Sequence, residues 1–215
     1  MRRIILFGSQ GSGKGTQADL LSLKLKIPRI EVGNLWRKEI ADGTPWGKEY
    51  AELYRAGKLA PDDQTVELLR RRITAQDAQE GFILDGYPRN RAQLDTLEVF
   101  GSPTQVFLLK LSDEESIKRL IGRLFCKTCG RSYHVVYNPP REQLGEIWYC
   151  DYDTTALTTR DDDKPEAIKE RLEIYHAQTE PLLDIYRQRG IVYEIDATKP
   201  IEEVHATIMK SLEAA

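Results

Sequence analysis

The run Gly8-Ser9-Gln10-Gly11-Ser12-Gly13-Lys14-Gly15-Thr16 most constrains what this chain can fold into. It lies between the apolar stretch Ile4-Ile5-Leu6-Phe7 and the helix-spaced Gln17-Ala18-Asp19-Leu20-Leu21. A buried strand that turns through glycines into a helix N-terminus makes a cradle for phosphate. The amides point inward, the helix presents its positive end, and a lysine reaches the β and γ phosphates of a nucleoside triphosphate. Gly11, Ser12, Gly13, Lys14, Gly15 and Thr16 are therefore candidate triphosphate-binding residues. The general motif sets Ser or Thr directly after the lysine to meet magnesium. Here Gly15 stands there and Thr16 comes one place later, so direct ligation by a hydroxyl is not expected.

A chain of 215 residues can bury one good core and carry small insertions. The net charge of −3 gives no general attraction to nucleic acid or to an anionic membrane. No apolar run approaches the ~18 residues of a membrane helix, and Met1-Arg2-Arg3 opens no secretory signal. The expectation is a soluble, cytoplasmic protein. Three cysteines crowd into residues 126–150, and an odd number in a reducing compartment suggests a metal rather than disulfides.

In chain order, Pro28–Gly33 reads as a short strand ending at a glycine, with Asn34 as cap of the next helix. Residues 34–60 are helical but punctuated by Asp42-Gly43-Thr44-Pro45 and Gly57-Lys58-Leu59, which predicts a small helical insertion. A longer helix starts at Asp62-Asp63, and Gly81–Gly86 is a buried strand ending on Asp85. Ligands lie at the carboxyl edge of open parallel sheets, so Asp85 is placed to hold magnesium through water. Val106–Leu109 is the next strand, and Ser112-Asp113-Glu114-Glu115 a capping box for a helix projecting Arg119 and Arg123 from one face. Residues 125 to about 160 read as a small β-rich insertion. Helix resumes near Asp161, breaks around Pro181, and is followed by a strand over 191–195 and a helix from Pro200 to Leu212. The sum is an α/β fold, a parallel sheet wrapped by helices with two insertions.

Cys126-x2-Cys129 and Cys150-x2-Asp153 have the spacing of two knuckles around a tetrahedral zinc. Asp153 completes the second knuckle, while His134, five residues past Cys129, competes as fourth ligand. Four protein ligands leave no open position for water, which makes the zinc structural. Arg37, Arg89, Arg119, Arg123, Arg160 and Arg171 lie beside turn or insertion boundaries, where a planar guanidinium can clamp phosphate bidentately.

Taken together, Gly8–Thr16 with Gln17-Ala18, Gly33-Asn34-Leu35 with Arg37, Gly57-Lys58-Leu59, Asp85-Gly86-Tyr87-Pro88-Arg89 with Gln93, Arg119 and Arg123, Tyr133-His134 with Asn138-Pro139-Pro140, and Thr159–Asp163 with Arg171 resemble the adenylate kinases with a long, zinc-bearing lid. The resemblance spans almost the whole chain. It implies a P-loop fold with a five-stranded parallel sheet, a core over 1–30, 61–122 and 161–215, a nucleoside monophosphate-binding insertion over 31–60 and a lid over 123–160. It also implies reversible phosphoryl transfer from ATP to AMP, giving two ADP, by a monomer using magnesium. Lys14, Arg123, Arg160 and Arg171 would surround the transferring phosphoryl group, and Arg119 would pack against the ATP base. Val32, Gly33, Arg37, Lys58, Leu59, Gly86, Arg89, Gln93, Arg160 and Arg171 would form the AMP site, with Arg37 and Arg89 on the phosphate and Gln93 on the base. Adenylate kinases usually carry Ser-Thr-Gly-Asp where this chain has Glu31-Val32-Gly33-Asn34, and Val32 lacks a hydroxyl for the base. Two rival readings remain at this point: a kinase of UMP, CMP or GMP, and a zinc-stapled binding module without turnover.

Overall fold

The computed structural model describes residues 1–160 and 162–213. Apolar residues on both sides of the strand Arg2–Phe7 (β1) place it at the centre of a parallel sheet covered on both faces. It is flanked by Gly81–Asp85 (β3) and Gln105–Lys110 (β4), with Arg29–Glu31 (β2) and Val192–Asp196 (β9) at the edges. All four pairings are parallel, and Leu6 is aligned with both Asp85 and Phe107. Ile5, Phe7, Leu84, Val106 and Leu108 pack on one face. Ile4, Leu6, Ile83, Phe107 and Leu109 pack on the other, as the two-residue period of a strand requires. The expected five-stranded parallel core is present.

The cradle leaves β1 and enters Lys14–Leu25 (α1) through Gly13, whose φ of 90° lies in the left-handed region that glycine adopts without strain. Val32–Ala41 (α2) and Pro45–Arg55 (α3) form the helical excursion between β2 and Asp62–Ile73 (α4). Thr44 caps α3 by accepting the Gly47 N–H, with Pro45 in the first turn. Asn34 is not the cap of α2: the helix begins at Val32 without a side-chain cap, and Asn34 turns instead to Glu31 and Arg37.

Arg91–Phe100 (α5) leads to β4, and Ser112 caps Asp113–Ile121 (α6) by accepting the Glu115 N–H, as the capping box requires. That helix stops at Gly122, so Arg123 does not share a face with Arg119. Arg123 opens the strand Arg123–Phe125 (β5), which pairs antiparallel with Ser132–His134 (β6). Glu142–Leu144 (β7) and Ile147–Tyr149 (β8) make a second small ribbon, completing the β-rich excursion.

Asp161 lies outside the described residues, and the following helix, Pro165–Ile174 (α7), begins later than the sequence suggests. Pro165 sits in its first turn, where the missing N–H costs nothing, and it disfavours helical geometry at the preceding residue. The break expected around Pro181 is a π-helical segment, Tyr175–Thr179, before Leu182–Gln188 (α8). The chain closes with Ile201–Glu213 (α9) against α1. No helix among the described residues is long and apolar enough to cross a membrane.

Candidate active site

A single cleft at the carboxyl edge of the sheet is lined by the glycine cradle, by α2, α3 and the 57–60 turn, by Asp85–Arg89, by α6 and by the β5–β6 ribbon. All six arginines singled out in the sequence reach it, as do Val32, Gly33, Lys58, Leu59, Gly86, Gln93 and cradle residues Gly11–Thr16. They come from elements far apart in sequence, which is how the fold concentrates positive charge on a protein of net negative charge.

Lys14 sits at the centre. Its Nζ donates to the carbonyls of Gly8 and Ser9, both at 2.7 Å. Burial pushes its pKa down to about 8; Asp85 opposes that, and Arg89, Arg171 and Arg123 add to it. Arg123 forks onto Asp163, with Nε donating to Oδ2 at 2.8 Å. Arg171 donates to the carbonyl of Asp162 at 2.9 Å and to Asp163 at 3.2 Å. Arg160 is largely buried, bonded to Ser132 Oγ at 2.9 Å and stacked 4.5 Å from the centre of the Phe125 ring. Burial and the nearby Arg123 and Arg37 push its pKa down, and its Nε has no partner among the described residues. Such a cluster of crowded cations is suited to an anion that neutralises several of them at once.

Elsewhere in the cleft, Arg89 donates to the Gly86 carbonyl at 2.8 Å. Gln93 is buried, accepting the Arg89 N–H at 2.8 Å and donating to Asp62 at 2.7 Å. These two bonds fix which end of the amide is carbonyl and still leave one donor and one acceptor position. Asn90 also donates to Asp62, at 2.9 Å. Val32 is buried with Trp36 and Tyr50, whose rings lie 4.8 Å apart, so the pocket wall there is apolar. Tyr50 donates to the Lys58 carbonyl at 2.9 Å, whereas the side chain of Lys58 is exposed. On the opposite side, Arg119 lies over the Tyr137 ring at 5.0 Å and donates to the Ala197 carbonyl at 3.0 Å.

Sequence reasoning passed over one residue at the heart of the site, Arg29. Its guanidinium bonds Asp19 at 3.0 Å, Asp85 at 2.8 Å and Glu31. Burial opposes its charge, but Glu31, Asp85 and Asp19 together raise its pKa further above the usual range. A Cβ on Gly15 would already stand 2.7 Å from Arg29 Nη2, so the place where the general motif carries a hydroxyl is filled from below. The signal in the sequence was the arginine itself, a charge inside the apolar frame Ile27–Ile30 of a strand in a covered sheet.

Away from the cleft, one ligand atom from each of Cys126, Cys129, Cys150 and Asp153 lies within 4.8 Å of the others. Cys129 Sγ and Cys150 Sγ are 3.6 Å apart, close to the edge of a tetrahedron with zinc–sulfur bonds of about 2.3 Å. His134 is not in this cluster: its Nδ1 accepts the N–H groups of Val136 and Tyr137, and its ring faces Tyr137 at 4.6 Å.

A cradle on the central strand, a strand-end aspartate and an arginine-lined cleft closed by two excursions define a P-loop phosphotransferase that holds two nucleotides. Comparison with known proteins identifies which one: residues 6–191 match the family model described as adenylate kinase. The adenylate kinase of Caldicellulosiruptor bescii is 38% identical over 215 residues, covering 98% of each chain. That of Acidothermus cellulolyticus is 40% identical, covering 98% of this chain and 97% of its own. That of Clostridium botulinum strain Loch Maree is 40% identical over 98% of each. The chain belongs to the adenylate kinase family.

Proposed function

We propose that this protein catalyses reversible transfer of the terminal phosphoryl group of ATP to AMP, giving two ADP. The observation that carries this reading is the convergence on one cleft of Lys14 with arginines from the core and both excursions. Residues 1–30, 61–122 and 161–215 act as the core, 31–60 as the monophosphate-binding piece and 123–160 as the lid. The acceptor phosphate is already ionised near neutral pH, so positioning and charge neutralisation do the chemistry. Lys14, Arg123, Arg160 and Arg171 surround the moving phosphoryl group. Gly11–Thr16 hold the ATP phosphates, and Arg119 with Tyr137 flanks its base. Arg37 and Arg89 take the AMP phosphate, and Val32, Gly33, Lys58, Leu59 and Gly86 complete that pocket.

Magnesium travels with ATP, and Asp85, at the end of β3, would hold it through water; Arg29 occupies Oδ2 of that carboxylate. Cys126, Cys129, Cys150 and Asp153 would hold a structural zinc and so staple the lid.

Gln93, oriented by Asp62 and the Arg89 N–H, presents a donor and an acceptor suited to N1 and the 6-amino group of adenine. Val32 offers the base no hydrogen bond, a loss of about 0.5–1.5 kcal/mol. AMP is therefore the preferred acceptor, with rejection of other monophosphates softened several-fold. Assaying ADP formation from ATP and magnesium with AMP, GMP, CMP and UMP tests both points. A kcat/KM for UMP or CMP above that for AMP would identify a different kinase, and no turnover with any acceptor would leave only a binding module.

A further inference from the structure

The acceptor side contains a carboxylate that the reaction as described does not use. Glu31, the last residue of β2, is largely buried between three arginines. One oxygen, Oε1, pairs with Arg37 and lies 3.8 Å from Arg160 Nη1; the other, Oε2, pairs with Arg29 and accepts from Asn34 at 3.0 Å. Gly33 leaves room for this arrangement, since a Cβ there would stand 3.1 Å from Arg37 Nη1 and 3.4 Å from Oε1.

Building on the proposal that Arg37 takes the AMP phosphate and Arg160 borders the moving phosphoryl group beside it, we infer that Glu31 is a resident anion of the acceptor-phosphate clamp. It occupies these guanidiniums in the empty site and is displaced from them by the incoming phosphate. Among the described residues, three carboxylates pair with Arg37, Arg123, Arg160 and Arg171, and the pattern of their bonds separates them. Asp162 and Asp163 are paired with Arg171 and Arg123, cations of the clamp itself. Glu31 alone of the three also has a cation outside it, Arg29, which is held in place by Asp19 and Asp85. Its carboxylate can give up Arg37 and still keep a charged partner, so exchange exposes no unpaired buried charge. A dianionic phosphate brings more negative charge to a guanidinium than a carboxylate does and can take its place. Glu31 thus sets a threshold for entry: displacing it costs every anion that enters the clamp the same free energy, AMP included.

The test uses Glu31→Ser and the near-isosteric, uncharged Glu31→Gln in the full-length protein. Folding should survive because Arg29 keeps two carboxylates; if Glu31→Ser nonetheless misfolds, Glu31→Gln and the double variant with Arg29→Gln carry the measurement. KM for AMP should fall about three- to tenfold, the scale of one net hydrogen bond, while KM for ATP stays within twofold. Inhibition by sulfate, competitive with AMP, should strengthen by a similar factor, because the cost of displacing Glu31 is common to both anions. A KM for AMP that rises in Glu31→Ser overturns the inference, because Glu31 would then be orienting Arg37 for substrate. An unchanged KM, or sulfate inhibition that does not strengthen, overturns it as well. Arg37→Ala distinguishes the levels: it should raise KM for AMP strongly. If it does so while the Glu31 variants change nothing, the inference alone fails; if Arg37→Ala leaves KM untouched, the reading of the acceptor site fails with it.

Discussion

Replacing Lys14 by Met should remove activity and leave the nucleotide-free protein slightly more stable. The side chain is partly buried and feels the charges of Arg89, Arg171 and Arg123, and its pKa falls from 10.5 to about 8. At about 1.4 kcal/mol per pH unit, carrying that charge costs the folded state about 3 kcal/mol near pH 7, where the lysine is protonated both folded and unfolded. Against this, Nζ makes two 2.7 Å bonds to the Gly8 and Ser9 carbonyls. Their loss, with water replacing Nζ in the cleft, costs about 1 kcal/mol each. The net gain of about 1 kcal/mol corresponds to a rise in Tm of about 2–4 °C for a chain of this size. The sign with pH follows from the lowered pKa. Between about pH 8 and 10.5 the unfolded lysine binds the proton and the folded one does not, so the wild type gains stability and the variant's advantage disappears. Thermal unfolding without nucleotide at pH 7 and pH 9.5, with ADP formation measured in parallel, checks all three statements. Turnover should fall about a thousandfold, the scale of losing a preorganised donor at the transferring group. A variant clearly less stable at pH 7, a gap independent of pH, or near-normal turnover would refute the placement of Lys14 as a strained cation awaiting phosphate.

The purified protein should hold about one zinc per chain, measurable by elemental analysis. Stripping it with a chelator and a thiol reagent should lower Tm. Asp153→Ala should release the metal whereas His134→Ala should retain it; the reverse would exchange their roles. Gly15→Ser, which restores the hydroxyl of the general motif, should destabilise the protein by about 1–3 kcal/mol and weaken ATP binding, because the new side chain meets Arg29. A Gly15→Ser variant as stable and active as wild type would show that Arg29 gives way freely.

What was legible in the sequence was local. The strand, glycine turn and helix around Lys14, the capping box at Ser112, the strand-end Asp85 and the paired cysteine knuckles each declare themselves within a few residues. What was not legible depends on pairings across the chain. Arg29 meets Asp85 from 56 positions away and Gln93 is oriented by Asp62 from 31 away. Arg123 was assigned to a helix because its spacing from Arg119 suits one, but Gly122 ends that helix and the β5–β6 pairing takes Arg123 over. Asn34 was a reasonable cap by residue type, yet Glu31 and Arg37 use its side chain. For Arg29, Gln93 and Asn34 tertiary partners decide what the side chain does, whereas for Arg123 the helix stop at the neighbouring Gly122 is itself a local signal.

The histidines show why the pH dependence of this site should belong to Lys14. His134 uses Nδ1 to accept two backbone amides, and burial lowers its pKa, so it is neutral at pH 7 and poorly placed to take a proton. His176 is exposed and engaged by Glu180 and Asp113, and His205 meets Gln17. None is paired with a nucleophile, as a base-dependent transfer would need. The group that changes charge just above neutrality inside the cleft is the lysine, and kcat/KM reports the titration of the free enzyme. For ATP it should therefore descend as pH rises through about 8, with no limb from a histidine near pH 6.5. Lys14→Arg should be slower but flat over that range, because a guanidinium keeps its proton. A descending limb that survives in Lys14→Arg would assign the titration to another group and remove Lys14 as its source.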